Sequence, residues 1–175
     1  MTTPCGDRNT YVLTVRYGKE RLAELEVGDA LFPADPNVEL KRTTFGGVLV
    51  LCTTLRFSEL LNILLAFPPS TLERVVPIIT CCDANNNDVD VVGCLVNAVI
   101  SKKLKYGKVR FGRRGCLSKD QLRLLEKKLR EFSAPYSDNS LLVEPLNNVV
   151  CIGVVKDDMD KLFKEEVMKI QPYRR

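Results

Sequence analysis

From Thr10 to Arg16 the stretch TYVLTVR concentrates β-branched and aromatic residues and predicts a strand. GKERLAELEVGDAL (18–31) shifts to helical spacing, with Leu22, Leu25 and Ala30 as an approximate apolar face. VELKRT (38–43) and GGVLVLCTT (46–54) predict two strands joined through Phe45, Gly46 and Gly47. FSELLNILLAF (57–67) predicts a helix with Ser58 as its N-cap, stopped by Pro68 and Pro69. RVVPIITCC (74–82) predicts a closing strand in which Pro77 suits an edge or a bulge.

The order βαββαβ is the ferredoxin-like pattern, two interleaved split βαβ units with both helices on one face of an antiparallel sheet. A second pattern follows an Asn-rich turn. DVDVVGCLVNAVISKKL (88–104) places Val89, Val92, Val96 and Val99 at helical spacing and ends in lysines that suit the negative end of a helix dipole. KVRFGRR (108–114) alternates as a half-buried strand does, Val109 and Phe111 inward, Lys108, Arg110 and Gly112 on a basic outer face. SKDQLRLLEKKLREF (118–132) carries a capping box from Ser118 to Gln121. In that helix Leu122, Leu125, Leu129 and Phe132 fall on one side and Lys119, Arg123, Lys127 and Arg130 on the other. SLLVEP and NVVCIGVVK predict two strands about the turn at Asn147 and Asn148, and DDMDKLFKEEVMKI (157–170) predicts a last helix with Met159, Leu162, Phe163, Val167 and Ile170 on one face. The expected fold is α+β, a ferredoxin-like unit over 1–82 followed by an α/β domain over 83–175.

Charge sharpens the division. Residues 1–82 carry eight Lys/Arg against nine Asp/Glu, a net charge of −1, whereas residues 83–175 carry eighteen against thirteen, a net charge of +5. KKLKYGKVRFGRRG (102–115) holds Lys102, Lys103, Lys105, Lys108, Arg110, Arg113 and Arg114 without one acidic residue. Lysine and arginine are almost never fully buried unpaired, so this stretch predicts a surface for a polyanion. Tyr106 and Phe111 are its candidates for base stacking; Phe111 reads as core, and Tyr106 fits either role.

No histidine is present, which removes the commonest general base and the usual partner of a nucleophilic Ser or Cys. Seven cysteines, widely spaced and without a CxxC pair, argue against a zinc site. Cys52, Cys82, Cys94 and Cys151 read as small apolar core residues, with disulfides expected only if the source is a hyperthermophile. Asp83, Asp88 and Asp90 read as a turn and helix cap before a catalytic or metal site. No glycine-rich phosphate loop or GxSxG turn is present, and no cofactor or metal is expected. Neither a membrane span nor a signal peptide is evident, which places the chain in the cytoplasm as an expectation.

RVVP, GKVRFGRRG and LVEPLNNVVCIGVV, in this order and spacing, resemble a THUMP domain with its N-terminal ferredoxin-like companion, over about Tyr11 to Lys156. Such domains accompany RNA-modifying enzymes. Without a catalytic domain beside it, the chain is most similar to the stand-alone adaptor that helps an acetyltransferase make N4-acetylcytidine in tRNA. The resemblance implies that both units hold the 3′ acceptor end of tRNA, with Lys108, Arg110, Arg113 and Arg114 on that surface. Charge alone extends the RNA-binding set to Lys102, Lys103, Lys105, Lys119 and Arg123; the helical Lys/Arg stripe fits RNA contact and a solvated face equally. The expected partners are tRNA and an RNA acetyltransferase or other tRNA-modifying enzyme, with no membrane. The rival reading is a small RNA-modifying enzyme or subunit using Cys81 and Cys82 beside Asp83. A third is a DNA-binding or general ribonucleoprotein factor.

Overall fold

A computed structural model describes residues 3–84, 90–112, 117–156 and 159–161. The first unit runs β1 (Asn9–Val15), α1 (Glu20–Leu31), β2 (Glu39–Arg42), β3 (Val48–Thr53), α2 (Phe57–Ala66) and β4 (Leu72–Ile78). Its sheet has the order β2-β3-β1-β4, with β1–β3 and β2–β3 antiparallel. This is the ferredoxin-like arrangement the pattern predicts. Pro77 lies in β4, an edge strand, where its missing N–H costs no ladder bond on the open side.

Tyr11, Leu13 and Val15 alternate inward from β1 onto Ala23, Val27 and Leu31 of α1 and Leu60, Leu61 and Leu64 of α2. The expected α1 face is therefore corrected. Ala23, Val27 and Leu31 form an i, i+4, i+8 ridge that seats on the sheet, leaving Leu22 and Leu25 exposed on its flank, while Ala30 stays at the core margin. Ser58 is likewise not the N-cap of α2. The N-cap is Arg56, two residues earlier, and Glu59 accepts a 2.7 Å bond from the Arg56 N–H, which suits a carboxylate at the positive end of a helix. The Tyr11 hydroxyl donates to the Leu55 carbonyl at 2.8 Å and its ring stacks on Phe57. Burial, with the Glu59 charge adding, pushes the Tyr11 phenol up to about 12.

The second unit runs β5 (Thr80–Asp83), α3 (Val91–Ser101), β6 (Lys108–Phe111), α4 (Lys119–Glu131), β7 (Asn139–Leu146) and β8 (Val149–Lys156). Its sheet order is β5-β8-β7-β6, parallel between β6 and β7 and antiparallel elsewhere. The parallel pair is possible because α4 supplies the crossover between them. RVVPIITCC is thus two strands in two sheets, and the units divide between Pro77 and Ile78 rather than after Cys82. Val92, Val96 and Val99 of α3 and Leu125 and Leu129 of α4 cover one face of the sheet. Val89 lies outside the described residues. Of the expected C-terminal helix, Met159–Lys161 forms a 3-10 turn and Met159 packs on the core of the first unit; Leu162, Phe163, Val167 and Ile170 lie outside the described residues. No described helix is long and apolar enough to cross a membrane.

Six cysteines are paired, as Cys5–Cys52, Cys81–Cys151 and Cys82–Cys94, so Cys52, Cys82, Cys94 and Cys151, read as small apolar core residues, are bridge halves and not free thiols. Successive residues of a strand point to opposite faces, so Cys81 bonds across the ladder to Cys151 of β8 while Cys82 reaches α3. The vicinal pair is two halves of two separate bridges. Thiol titration of the unfolded, unreduced protein should find no more than one free thiol, and reduction should raise the count to seven. Loss of each bridge should cost roughly 2–5 kcal/mol in denaturant unfolding. Five or more free thiols before reduction would contradict the pairing.

Candidate nucleic-acid interface

The basic stretch begins where α3 ends. Lys102 caps that helix, and Lys103 takes a left-handed conformation (φ 50°) that turns the chain away. Its N–H donates to the Ile100 carbonyl at 3.0 Å, and that of Leu104 to the Val99 carbonyl at 3.1 Å, closing the helix end. Tyr106 then anchors the connection. Its ring is fully buried, and its hydroxyl donates 2.6 Å to the Leu129 carbonyl of α4. Its own carbonyl accepts from the Ala134 N–H at 2.7 Å, and the next residue, Gly107, donates to the Asn139 carbonyl at 2.8 Å. A Cβ on Gly107 would collide with the Ser137 carbonyl oxygen, so only glycine lets the chain pass here.

Tyr106 is therefore core and takes no part in stacking bases. An aromatic ring with a polar tip is well suited to this, since burial of the ring needs only one partner for the hydroxyl. Around it Lys102, Lys103 and Lys105 remain exposed, and Lys108 is exposed at the start of β6, the edge strand. Among the described residues the ion pairs join Arg8 and Lys41 to Glu39, Arg42 to Glu24, and Arg130 to Glu126; none uses Lys102, Lys103 or Lys105.

Val109 and Phe111 pack on the core as their alternation predicts. The opposite face is not the open basic surface expected. In the parallel register Lys108 lies beside Ser140 and Arg110 beside Leu142, and both of those β7 residues are buried. Arg110 is accordingly half-buried. β7 itself is buried on both faces, which is why SLLVEPL reads as a near-continuous apolar run. Glu144 lies further along the same face of β7, 1% exposed, with Oε2 only 2.6 Å from where a Cβ on Gly112 would stand. A buried carboxylate thus lies at the end of the basic strand. A lone acid inside an apolar run is the signal that marks it in the sequence, and charge counting over 102–115 passes it by. Arg113 and Arg114 lie outside the described residues.

On α4 the capping box forms as predicted, Gln121 N–H to Ser118 Oγ at 3.1 Å and Ser118 N–H to Gln121 Oε1 at 2.9 Å. Lys119, Arg123 and Lys127 are exposed at i, i+4 spacing, whereas Arg130 is tied to Glu126 at 2.6 Å. Phe132 stands past the last turn, exposed, beside a shallow groove of about 290 Å³ shared with Val96, Leu124 and Lys127. It is therefore not on the buried face assigned to it. Cys81 and Cys82 hold no thiol for nucleophilic or redox chemistry while their bridges are closed.

No protein-family model and no curated protein matches the sequence. Among solved structures, the chain is similar to PH1313 from Pyrococcus horikoshii Ot3, with a TM-score of 0.55 and 14% identity over 87% of this chain and 55% of that one. The fold is THUMP-like, with its ferredoxin-like companion. A weaker similarity, TM-score 0.47 and 12% identity over 85% of this chain and 41% of that one, is to a 4-thiouridine synthetase in complex with RNA and with bound ATP. The chain spans about half the length of these solved chains.

Burial pushes the Tyr106 phenol from the ordinary 10.0 up to about 12, matching Tyr11 in the first unit. The unfolded chain releases these protons near pH 10 and the folded chain near 12, so stability is full below pH 10 and falls as pH rises between the two values. Each tyrosine contributes a slope of up to about 1.4 kcal/mol per pH unit. Tyr106→Phe should remove its share of that slope and cost about 1 kcal/mol at neutral pH through the lost hydrogen bond. Urea unfolding at several pH values from 9 to 11.5 reads both; an unchanged alkaline slope in the variant would mean that the phenol is solvated.

Proposed function

We propose that this chain is a non-catalytic tRNA-binding adaptor that presents the 3′ acceptor end to a separate modification enzyme, a cytidine acetyltransferase. The observation that carries this reading is the row Lys102, Lys103, Lys105 and Lys108, held outward by the buried Tyr106 anchor on a THUMP-like fold. Ammonium groups on a fixed turn match a phosphate backbone without reading bases, so they position an RNA rather than select a sequence. The half-buried Arg110 adds a guanidinium whose planar fork suits phosphate oxygens. The competing reading, thiol chemistry at Cys81 and Cys82, needs a thiolate, and both sulfurs are closed in bridges with different partners.

Log affinity for tRNA should fall linearly with log salt, by about 0.7–0.9 per phosphate neutralised. Replacing Lys102, Lys103 and Lys105 together by Ala should weaken binding and flatten that slope by about two units, with the fold intact. Lys127→Ala with Lys128→Ala is the control for net field, and should change the slope less. Nucleoside mass spectrometry of unmodified tRNA should show no change with this protein alone and more N4-acetylcytidine when it is added to an acetyltransferase. A modified base formed by this protein alone would overturn the adaptor reading, and identical slopes for the two variants would move the RNA off this turn.

A further inference from the structure

The turn from β1 to α1, RYGKER (16–21), carries an aromatic ring among cations in the unit whose net charge is slightly negative. Tyr17 is 83% exposed, yet its ring is not loose. It lies against the backbone of Gly46, so closely that a Cβ there would stand inside the ring's van der Waals envelope. Both neighbouring glycines are in the left-handed region, Gly18 at φ 74° and Gly47 at φ 74°. The Arg16 N–H donates 2.9 Å to the Thr71 carbonyl, and the Val15 N–H donates 2.9 Å to the Gly47 carbonyl. The segment that carries Tyr17 is thus tied by its backbone to Thr71 and Gly47 while its ring rests on Gly46.

The surrounding acids are engaged internally. Glu20 accepts from the Gly47 N–H at 2.6 Å and the Gly18 N–H at 3.1 Å; hydrogen bonds from its own amide, Gly47 and Gly18 hold its carboxyl below the usual range. Glu24 is paired with Arg42, and Glu26 accepts from the Ser70 N–H and hydroxyl. Arg16, Lys19 and Arg21 are exposed and form no ion pair among the described residues. An exposed aromatic face on a segment that also carries Arg16, Lys19 and Arg21, the last acting on the Glu24 carboxylate as well, suits single-stranded nucleic acid: the ring takes a base and the cations take the flanking phosphates.

We propose that Tyr17, with Arg16, Lys19 and Arg21, forms a second RNA contact on the first unit, where one unpaired base stacks on the tyrosine ring. The inference rests on the RNA-binding function proposed above. It assigns the stacking role, which Tyr106 does not fill, to a residue outside the basic stretch.

Fluorescence anisotropy with a labelled oligoadenylate and an abasic ribose-phosphate oligomer of equal length separates stacking from charge. Tyr17→Ala should weaken oligoadenylate binding by about tenfold and leave the abasic oligomer unaffected, whereas Tyr17→Phe should bind both as the wild type does. Gly46→Ala, which keeps the tyrosine but displaces its ring, should also lower oligoadenylate binding alone. Wild-type protein that binds neither oligomer at low salt would sink the RNA-binding function and this contact with it. Wild-type binding left unchanged by Tyr17→Ala would overturn only the contact, leaving the turn as a surface for a protein partner. Equal losses on both oligomers would also overturn it, since the effect would then lie in the loop and not in stacking.

Discussion

The hydrogen bond from the Tyr106 hydroxyl to the Leu129 carbonyl joins the connection between α3 and β6 to the far end of α4. Without it the chain from Lys102 to Lys108 would be tied to the rest of the unit chiefly by the Ala134 and Asn139 hydrogen bonds, and four like charges would favour spreading apart. With the ring buried and the hydroxyl satisfied, the backbone on both sides has one course, through the Ala134 and Asn139 bonds. The lysines are exposed because this tyrosine is not. A polyanion meeting them finds a prearranged surface and does not bear the full entropy of ordering a loop.

The disulfides act on the same second unit from another side. Cys81–Cys151 and Cys82–Cys94 fix β5 to β8 and to α3, so the short edge strand is held covalently on both of its faces. In the first unit Cys5–Cys52 ties the segment before β1 to the buried strand β3. Bridges spanning 47 and 70 residues constrain the unfolded chain more than the one spanning 12, within the loop-entropy account. Persistent bridges belong to oxidising surroundings or to the interior of hyperthermophiles, which narrows the settings in which the chain folds as described.

Much of the architecture was legible in the pattern of the chain. Short runs rich in β-branched and apolar residues marked β1, β3, β7 and β8, alternation marked β6, the capping box marked the start of α4, and Pro77 announced an edge or a bulge. The misplacements share a cause. Leu22 and Leu25 have the right spacing for a buried face but lose to the Ala23, Val27 and Leu31 ridge, because what seats on a sheet is set by how closely the helix axis approaches it. RVVPIITCC has the composition of one strand and serves two sheets, a choice made by long-range pairing partners that no local window contains. For the candidate site, the position of the cations was plain, while Arg110 and Glu144 required the register of β6 against β7 to be placed.

By itself the sequence determined where the charge sits, which residue types could carry chemistry, and that two α/β patterns follow one another. Those properties follow from composition and local periodicity, which act over a few residues. Only the tertiary structure decided which cysteines meet, that Tyr106 lies in the core, and that Tyr17 stands clear of it on a glycine shelf. The two tyrosines have similar neighbours in sequence, each beside a glycine and basic residues. Burial separates them, and burial is a property of contacts between segments far apart along the chain: Leu129 takes the hydroxyl of the buried ring and Ala134 bonds the carbonyl of the same residue, whereas the other ring lies exposed against Gly46.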